Sequence, residues 1–425
     1  MMAEQQEARY QDHVASAVPD SERRGWWATF ATFSGWVVWP GMVAFGVTLL
    51  QGQGFWPSLA ASIIGGIVLG GISTALGVIA MKYGFNTYII GDRTFGNGGG
   101  RVIGACLAIT LMGWFGVSTG ASGQAFAALF PGIPYWVFAA LLSAIFGGTA
   151  VVGFSLIRRL ATYTIIPVCL LLVAATIYAI VANPGKDILG GSAPVVDHAI
   201  SFALAVGLVI TNWIMGCTTT GDILRYSKNV RNVAISQFVT FAVVFGVLNW
   251  IGVPFAIATG TFDMMGKLVT LGSLAWTIVA MIIIVFGTWT TADTQCWIAS
   301  LGLTYAIGRP NLRWVIALII TAIGFVATLY IWNYIFIWVD FIGTLLPPIP
   351  AIILIEYYAI QKRSYGPLAP PVNAMAYVSW ALAAALGLYT GVVLKLGIGA
   401  INSLIITAIL YYILRRFVPQ KSQTT

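Results

Sequence analysis

Residues 27–50 read WATFATFSGWVVWPGMVAFGVTLL, a run without a charged residue. About twenty apolar residues in a helix cross a hydrocarbon core of about 30 Å, so this run is long enough to span a bilayer. Its middle is nevertheless a poor helix. Ser34-Gly35 is followed by Trp39-Pro40-Gly41, and a proline inside a helix removes a backbone donor and clashes with the preceding turn. In lipid, backbone groups freed in this way are tolerated only where they face protein or line a cavity. The run therefore predicts a crossing made of two half-helices whose junction faces the interior of a bundle.

Apolar runs of similar length continue to Phe417. Of the 425 residues, 59% are hydrophobic and 8% charged, whereas soluble domains carry about 25% charged residues. The expected spans are 27–50, 57–81, 101–130, 134–154, 160–182, 199–220, 232–260, 271–303, 312–330, 332–357, 373–394 and 397–416, twelve in all. The short alternating segments of a β-barrel do not occur. A net charge of +8 comes from basic residues scattered singly and in pairs, which marks no nucleic-acid surface. With the N-terminus in the cytoplasm, only Lys186, Lys267 and Lys395 of the 21 basic residues fall outside, the asymmetry that orients helical membrane proteins. The expectation is a multi-pass protein of a plasma membrane, bacterial inner membrane in kind, with both termini cytoplasmic and no cleaved signal peptide. Cys106, Cys169, Cys217 and Cys296 are too widely and irregularly spaced for a disulfide framework or zinc pattern, and His13 and His198 lie outside the spans. No transition-metal site and no catalytic residue is expected.

Span 6 repeats the feature of span 1. Thr211-Asn212-Trp213 precedes Gly216 and Gly221, again a polar residue before a tryptophan with helix breakers after it, five spans further on. Interrupted helices in matching positions of two repeats are the sequence pointer to an inverted-repeat transporter, in which the broken segments meet at the midplane around substrate and ion. The corresponding division is a tail at 1–25, a first repeat at 26–182, a second at 198–358, two further helices at 372–417 and a tail at 418–425.

The chain has 13 acidic residues. Asp293, Asp340 and Glu356 fall well within spans, where an acid costs about 2.5–3.5 kcal/mol on insertion scales. Glu356 precedes Lys362 and Arg363 and reads as an interface residue; Asp222, near Arg225 and Lys228, reads as part of a structural pair at the inner mouth. Asp293 and Asp340 are candidates for gating or for binding a proton. Gly287, Thr290, Thr291 and Thr294 lie at i, i+3, i+4 and i+7, one face of a helix. Paired hydroxyls beside a glycine carbonyl suit a hard cation that takes oxygen ligands, and carbonyls from the break in span 1 would complete a sodium shell. Trp114 in the middle of span 3 and Trp213 beside the break in span 6 would hold a flat heterocycle between two rings, with Asn212 reading its edge.

Two motifs point elsewhere and lack their partners. Gly116-Val117-Ser118-Thr119-Gly120 matches a nucleophile elbow, but no histidine lies in a span to activate the serine, so the small residues read as helix packing. Gly96-Asn97-Gly98-Gly99-Gly100 precedes no βαβ unit and reads as a cytoplasmic loop.

Taken together these residues resemble the nucleobase–cation symporter-1 family, in particular its cytosine-permease branch. Gly113-Trp114-Phe115-Gly116 is similar to the family's stacking segment, and Trp289-Thr290-Thr291-Ala292-Asp293 to its Trp-Thr-Thr-Asn-Asp stretch. Pro347-Pro348 with Glu356-Tyr357-Tyr358, and Asp222, Arg225 and Asn229, resemble further elements of spans 10 and 6. The resemblance runs from about Arg24 to Arg416. It implies an all-α fold of five plus five inverted spans with helices 1 and 6 broken and two C-terminal helices added. It also implies a base held between spans 3 and 6 and one sodium between spans 1 and 8. By position, the sodium ligands would be carbonyls of Phe30, Phe33 and Gly287 with hydroxyls of Thr290 and Thr291; a slip of one residue in span 1 gives Ala31 and Ser34. The substrate residues would be Trp114, Ser118, Asn212, Trp213, Asp293, Thr294 and Gly35. The family's cytosine branch carries Gln where this chain has Leu111, serines at Asn212 and Met215, and Asn at Ala292 and Thr294, so the resemblance does not fix cytosine as the substrate. The expected function is uptake of a planar nitrogen heterocycle (cytosine, another nucleobase, or a related pyrimidine or hydantoin compound) by cation symport with sodium. The alternatives are proton-coupled uptake of a related heterocycle or small cationic solute through Asp293 or Asp340 and, more remotely, a channel or an intramembrane enzyme.

Overall fold

The computed structural model describes residues 12–195, 199–366 and 372–417; His198 and the side chain of Asp340 lie outside the described residues. Among the described residues ten helices are long and apolar enough to cross a membrane, and the first run forms a bent pair, Trp26–Val37 and Pro40–Leu49, meeting at 64°. With that pair and the shorter apolar helix Phe202–Thr218, the twelve expected crossings are all present. The break in span 1 follows its sequence. Trp39 is extended at φ −127°, ψ 131°, and Pro40 takes the first helical position, where its missing N–H would have had no partner anyway. Span 6 breaks more briefly: Thr219, at φ −92° and ψ 10°, separates Phe202–Thr218 from the five-residue helix Thr220–Leu224. That single residue falls between Gly216 and Gly221.

Several boundaries differ from expectation. Span 5 begins at Phe154 rather than residue 160 and runs through Pro167 to Ala182. Span 8 extends over 34 residues, Leu274–Ile307. A helix at Thr87–Phe95, capped by the Asn86 side chain on the Ile89 amide, fills the turn between spans 2 and 3. Gly96 and Gly98, both at φ 89°, form the tight link from it into span 3, and Gly99 and Gly100 already belong to span 3. Span 7 holds a π turn at Val239–Phe245.

Small residues let these helices approach backbone to backbone, as membrane bundles require. A Cβ on Gly46 would lie 2.4 Å from the Asn249 carbonyl, and one on Gly252 would lie 2.3 Å from the Val43 carbonyl, locking the second half of span 1 against span 7. Gly116 meets the Gly324 carbonyl at 2.6 Å in the same sense, and its own carbonyl accepts from Thr328 at 2.9 Å. The apparent nucleophile elbow is thus the seam between spans 3 and 9.

Glu356, at the end of span 10, is buried against another helix. It is 1% exposed and pairs not with Lys362 or Arg363 but with Arg415 of span 12, Nε to Oε2 at 3.1 Å and Nη2 to Oε1 at 3.0 Å. Tyr411 and Gln361 donate to the same carboxylate at 2.7 and 2.8 Å. Arg415→Leu leaves that carboxylate buried without its cation, a loss of about 3–5 kcal/mol. The expected result is a clear drop in melting temperature in detergent, whereas Glu356→Gln, which removes the buried charge, costs less.

Candidate functional site

A cavity lies where the breaks of spans 1 and 6 face spans 3, 8 and 10, lined by Trp36, Trp39, Met42, Phe45, Leu107, Thr110, Leu111, Trp114, Asn212, Trp213, Met215, Gly216, Thr219, Thr291, Gln295 and Leu346. Glycines seat its rings. The Trp213 indole lies over Gly216, where a Cβ would come 2.4 Å from Nε1, and Trp39 covers Gly41, where it would come 2.3 Å from the ring. Trp36 and Trp213 meet edge to face at 5.3 Å between centroids, and Phe45 meets Trp114 at 6.0 Å. The indole N–H groups of Trp36, Trp39, Trp114 and Trp213 have no hydrogen-bond partner in the protein. Buried donors are nearly always paired, so four unpaired ones around one cavity mark a place built around something else.

Of the expected substrate residues, Trp114, Asn212 and Trp213 line this cavity. Ser118 stands behind the lining and donates to Gln295 Oε1 at 3.1 Å. Gly35, Asp293 and Thr294 do not line it. Gly35 packs on Ala161 of span 5, where a Cβ would lie 2.7 Å from that methyl. Asp293 points to span 4, accepting from Thr149 Oγ1 at 3.2 Å, and Thr294 donates to Asp293 and to the Thr290 carbonyl. Gln295 belongs to the lining, and its signal was available: it lies at i+4 from Thr291. Leu111 and Met215, where the cytosine branch is polar, do face the cavity.

Spans 1 and 8 meet beside it. Thr290 Oγ1 bonds back to the Phe286 and Gly287 carbonyls at 3.2 and 3.3 Å, as a helical threonine usually does. Thr291 Oγ1 crosses to span 1, donating to the Trp36 carbonyl at 2.8 Å, with Gly35 O at 3.5 Å and Gly287 O at 3.2 Å also in reach. The carbonyls that span 1 brings to the threonine pair are therefore those at the end of its first half-helix. No hydrogen bond in the structure joins Phe30 or Phe33 to either threonine. Ser34 Oγ instead meets Thr240 Oγ1 in the π turn of span 7 at 2.7 Å. Among the described residues no cluster of His, Cys, Asp or Glu is suited to a metal.

At the end of the bundle carrying the N-terminus, residues 12–18 fold back under the site. Arg225, 0% exposed, donates to the Asp12 and His13 carbonyls at 2.7 and 2.8 Å and through Nε to its own helix at the Asp222 carbonyl. This corrects the expected pairing: the Asp222 carboxylate accepts from Thr87 at 3.0 Å. The Asp12 carboxylate takes the Trp297 indole at 2.8 Å, the Phe154 amide at 3.3 Å and Arg313 at 3.5 Å. Toward the other end a second cavity, reaching Asp263 and Gln124, shares Trp39 and Phe45 with the first, so those two rings form the partition between them.

The model of a family described as permeases for cytosine/purines, uracil, thiamine and allantoin matches residues 17–409. The chain belongs to that family. The cytosine permease of Escherichia coli strain K12 is 27% identical over 411 residues, covering 95% of this chain and 94% of its own. Among solved structures, Mhp1, a nucleobase-cation-symport-1 family transporter, closed with bromovinylhydantoin bound, superposes with a TM-score of 0.80 at 15% identity over 94% of each chain. Mhp1 facing inward gives 0.77. A sodium-coupled sialic acid symporter gives 0.70 at 11% identity, over 96% of this chain and 93% of its own. The fold is the expected inverted-repeat symporter fold, and the protein is a multi-pass membrane transporter of the nucleobase–cation symporter-1 family rather than an enzyme.

Proposed function

We propose that this permease imports a planar nitrogen heterocycle, a nucleobase or a related pyrimidine or hydantoin compound, by alternating access coupled to sodium, with both termini in the cytoplasm. The observation that carries the substrate class is the aromatic cavity at the two breaks. A flat ring would stack on an indole face of the lining, where stacking on an aromatic is worth about 1–3 kcal/mol per base by analogy with nucleic-acid platforms. Cytosine, for which the Escherichia coli permease is named, and the hydantoin bound to Mhp1 belong to the same class.

Sodium is assigned to the junction of spans 1 and 8, with hydroxyls of Thr290 and Thr291 and carbonyls of Gly287, Gly35 and Trp36 as the oxygen set. Phe33 remains a candidate because its carbonyl lies one helical turn before that of Trp36. The ion would sit where the Thr291–Trp36 bond now closes the two spans, so ion and substrate would stabilise the same arrangement of span 1, with a coupling typically of 1–3 kcal/mol. Thr290→Ala with Thr291→Ala is expected to weaken substrate binding about 5–150-fold at a fixed sodium concentration and to abolish its sodium dependence. Uptake into proteoliposomes with the wild-type sodium dependence in that double variant would sink the assignment. Asp293, off the cavity and bonded to Thr149 and Thr294 among the described residues, favours a structural role over proton coupling; uptake that follows a pH gradient and ignores sodium would reverse that choice.

A further inference from the structure

Span 7 carries an amide that does not line the cavity and yet fixes what the cavity offers. Asn249 is fully buried, one turn after the π turn, and its Nδ2 donates to the Phe245 carbonyl at 2.9 Å. A carbonyl only accepts, so the NH2 of Asn249 must face Phe245 and its Oδ1 must face the other way. There it meets Nδ2 of Asn212 at 3.2 Å, which for the same reason is the donor end of the second amide; that nitrogen also touches Met42 Sδ at 3.1 Å. Asn212 lines the cavity, and its Oδ1 has no hydrogen-bond partner among the described residues. Gln295 is arranged in the opposite sense: its Oε1 takes the Ser118 hydroxyl at 3.1 Å, and its Nε2 has no hydrogen-bond partner among the described residues. The hydroxyls of Thr110 and Thr219 are already spent on the Cys106 and Gly216 carbonyls.

We infer that Asn249 is a positioning residue for substrate selection. By orienting Asn212 it makes the site ask for a ring N–H, and with Gln295 asking for a ring carbonyl the site selects cyclic amides and imides. This rests on the heterocycle reading above and narrows it. A ring whose nitrogens are methylated leaves the Asn212 oxygen buried and unpaired. Polar sites reject analogues by that route far more strongly than apolar pockets reject a change of size.

The test uses the purified full chain in sodium, with thermal-shift titrations of uracil and hydantoin, their 1,3-dimethyl forms and their 5-methyl forms as controls for bulk. The wild type is expected to bind the parent and 5-methyl compounds and to bind the dimethyl compounds at least about tenfold more weakly. In Asn249→Leu the Asn212 amide is free to turn, and the ratio of parent to dimethyl affinity falls to about threefold or less. Asn249→Asp, protonated in this buried place, offers a hydroxyl to Phe245 and a carbonyl to Asn212 and keeps the wild-type ratio. A role confined to folding would lower stability in both variants without moving the ratio. Equal binding of parent and dimethyl compounds by the wild type, or an unchanged ratio in Asn249→Leu, overturns the inference and leaves the heterocycle reading standing. Failure of the folded wild type to bind uracil and hydantoin while it binds cytosine or a purine base overturns the inference alone; failure to bind any of these overturns both. If Asn249→Leu does not fold, Asn212→Leu removes the acceptor itself and is expected to erase the same ratio; a ratio retained there also overturns the inference.

Discussion

Gly302→Leu is expected to leave little or no folded protein, a larger loss than any single substitution in the cavity would bring. Spans 3 and 8 cross with two glycines face to face. A Cβ on Gly302 would lie 2.7 Å from the Gly104 carbonyl, and one on Gly104 would lie 2.5 Å from the Gly302 carbonyl. Overpacking usually costs about 1–3 kcal/mol where side chains can give way. Here the atoms in the way are backbone, and the remaining neighbour, the Tyr88 hydroxyl at 3.0 Å from the same Cβ, is itself held by the Ile298 carbonyl. Relief requires spans 3 and 8 to separate. Those helices carry Trp114, Ser118, Thr291 and Gln295, so the cavity would be lost with the crossing, and a total stability of about 5–15 kcal/mol leaves little reserve. Gly71→Leu is the control, because a Cβ there meets nothing within 4 Å. The yield of monodisperse protein after extraction should fall sharply for Gly302→Leu and stay near wild type for Gly71→Leu.

The same crossing shows what was legible in the sequence. Apolar length and charge asymmetry report on the solvent around each helix, and they placed twelve spans before any contact was known. Pro40 could be read because proline acts on its own backbone, and the break fell within two residues of it. Gly104 and Gly302 could not be paired, because a glycine's partner is a property of two helices. The site divides along the same line. Trp114, Asn212 and Trp213 stood out as polar or aromatic residues at mid-span, and all three reached the cavity. Asp293 and Thr294 share the helix of Gln295, but rotation of span 8 about its axis turns the amide inward and the carboxylate toward span 4. Thr294, expected among the substrate residues, lies one position short of Gln295, which lines the cavity with Thr291. Asn249 carried no signal at all, since an amide in span 7 acquires its meaning from Phe245 and Asn212. The partner of Glu356 was illegible for a related reason: Arg415 is 59 positions away.

Asp12→Ala is expected to loosen the end of the bundle at which the chain begins, an effect second only to breaking a helix crossing. Its carboxylate collects the Trp297 indole, the Phe154 amide and the Arg313 guanidinium, and the residue is 9% exposed. Removing it leaves two buried donors short of an acceptor and takes from Arg313 its carboxylate partner. Breaking a buried pair from one side typically costs about 3–5 kcal/mol. The backbone at Asp12 and His13 is held at φ 46° and 49°, in the left-handed region that non-glycine residues seldom adopt. Part of what the carboxylate and Arg225 contribute is therefore spent on keeping this turn in place. The loss should appear locally before it appears globally. The Val18 amide donates to the Gly84 carbonyl at 2.9 Å, and its hydrogen exchange in Asp12→Ala should accelerate by at least about a hundredfold, the factor that about 3 kcal/mol implies. Arg225→Leu should accelerate the same amide, because it frees the Asp12 and His13 carbonyls from the span 6 end. In the proposed transport cycle these residues tie spans 6, 8 and 9 together at the cytoplasmic mouth, and release of substrate inward requires that tie to open. Both variants should therefore shift the resting protein toward the inward-open state and weaken binding of substrate offered from outside, while sodium still strengthens what binding remains. Wild-type exchange at Val18 in either variant would mean that the segment is held by the packing of Val14 and Val18 alone, and that the polar tie contributes nothing to closure.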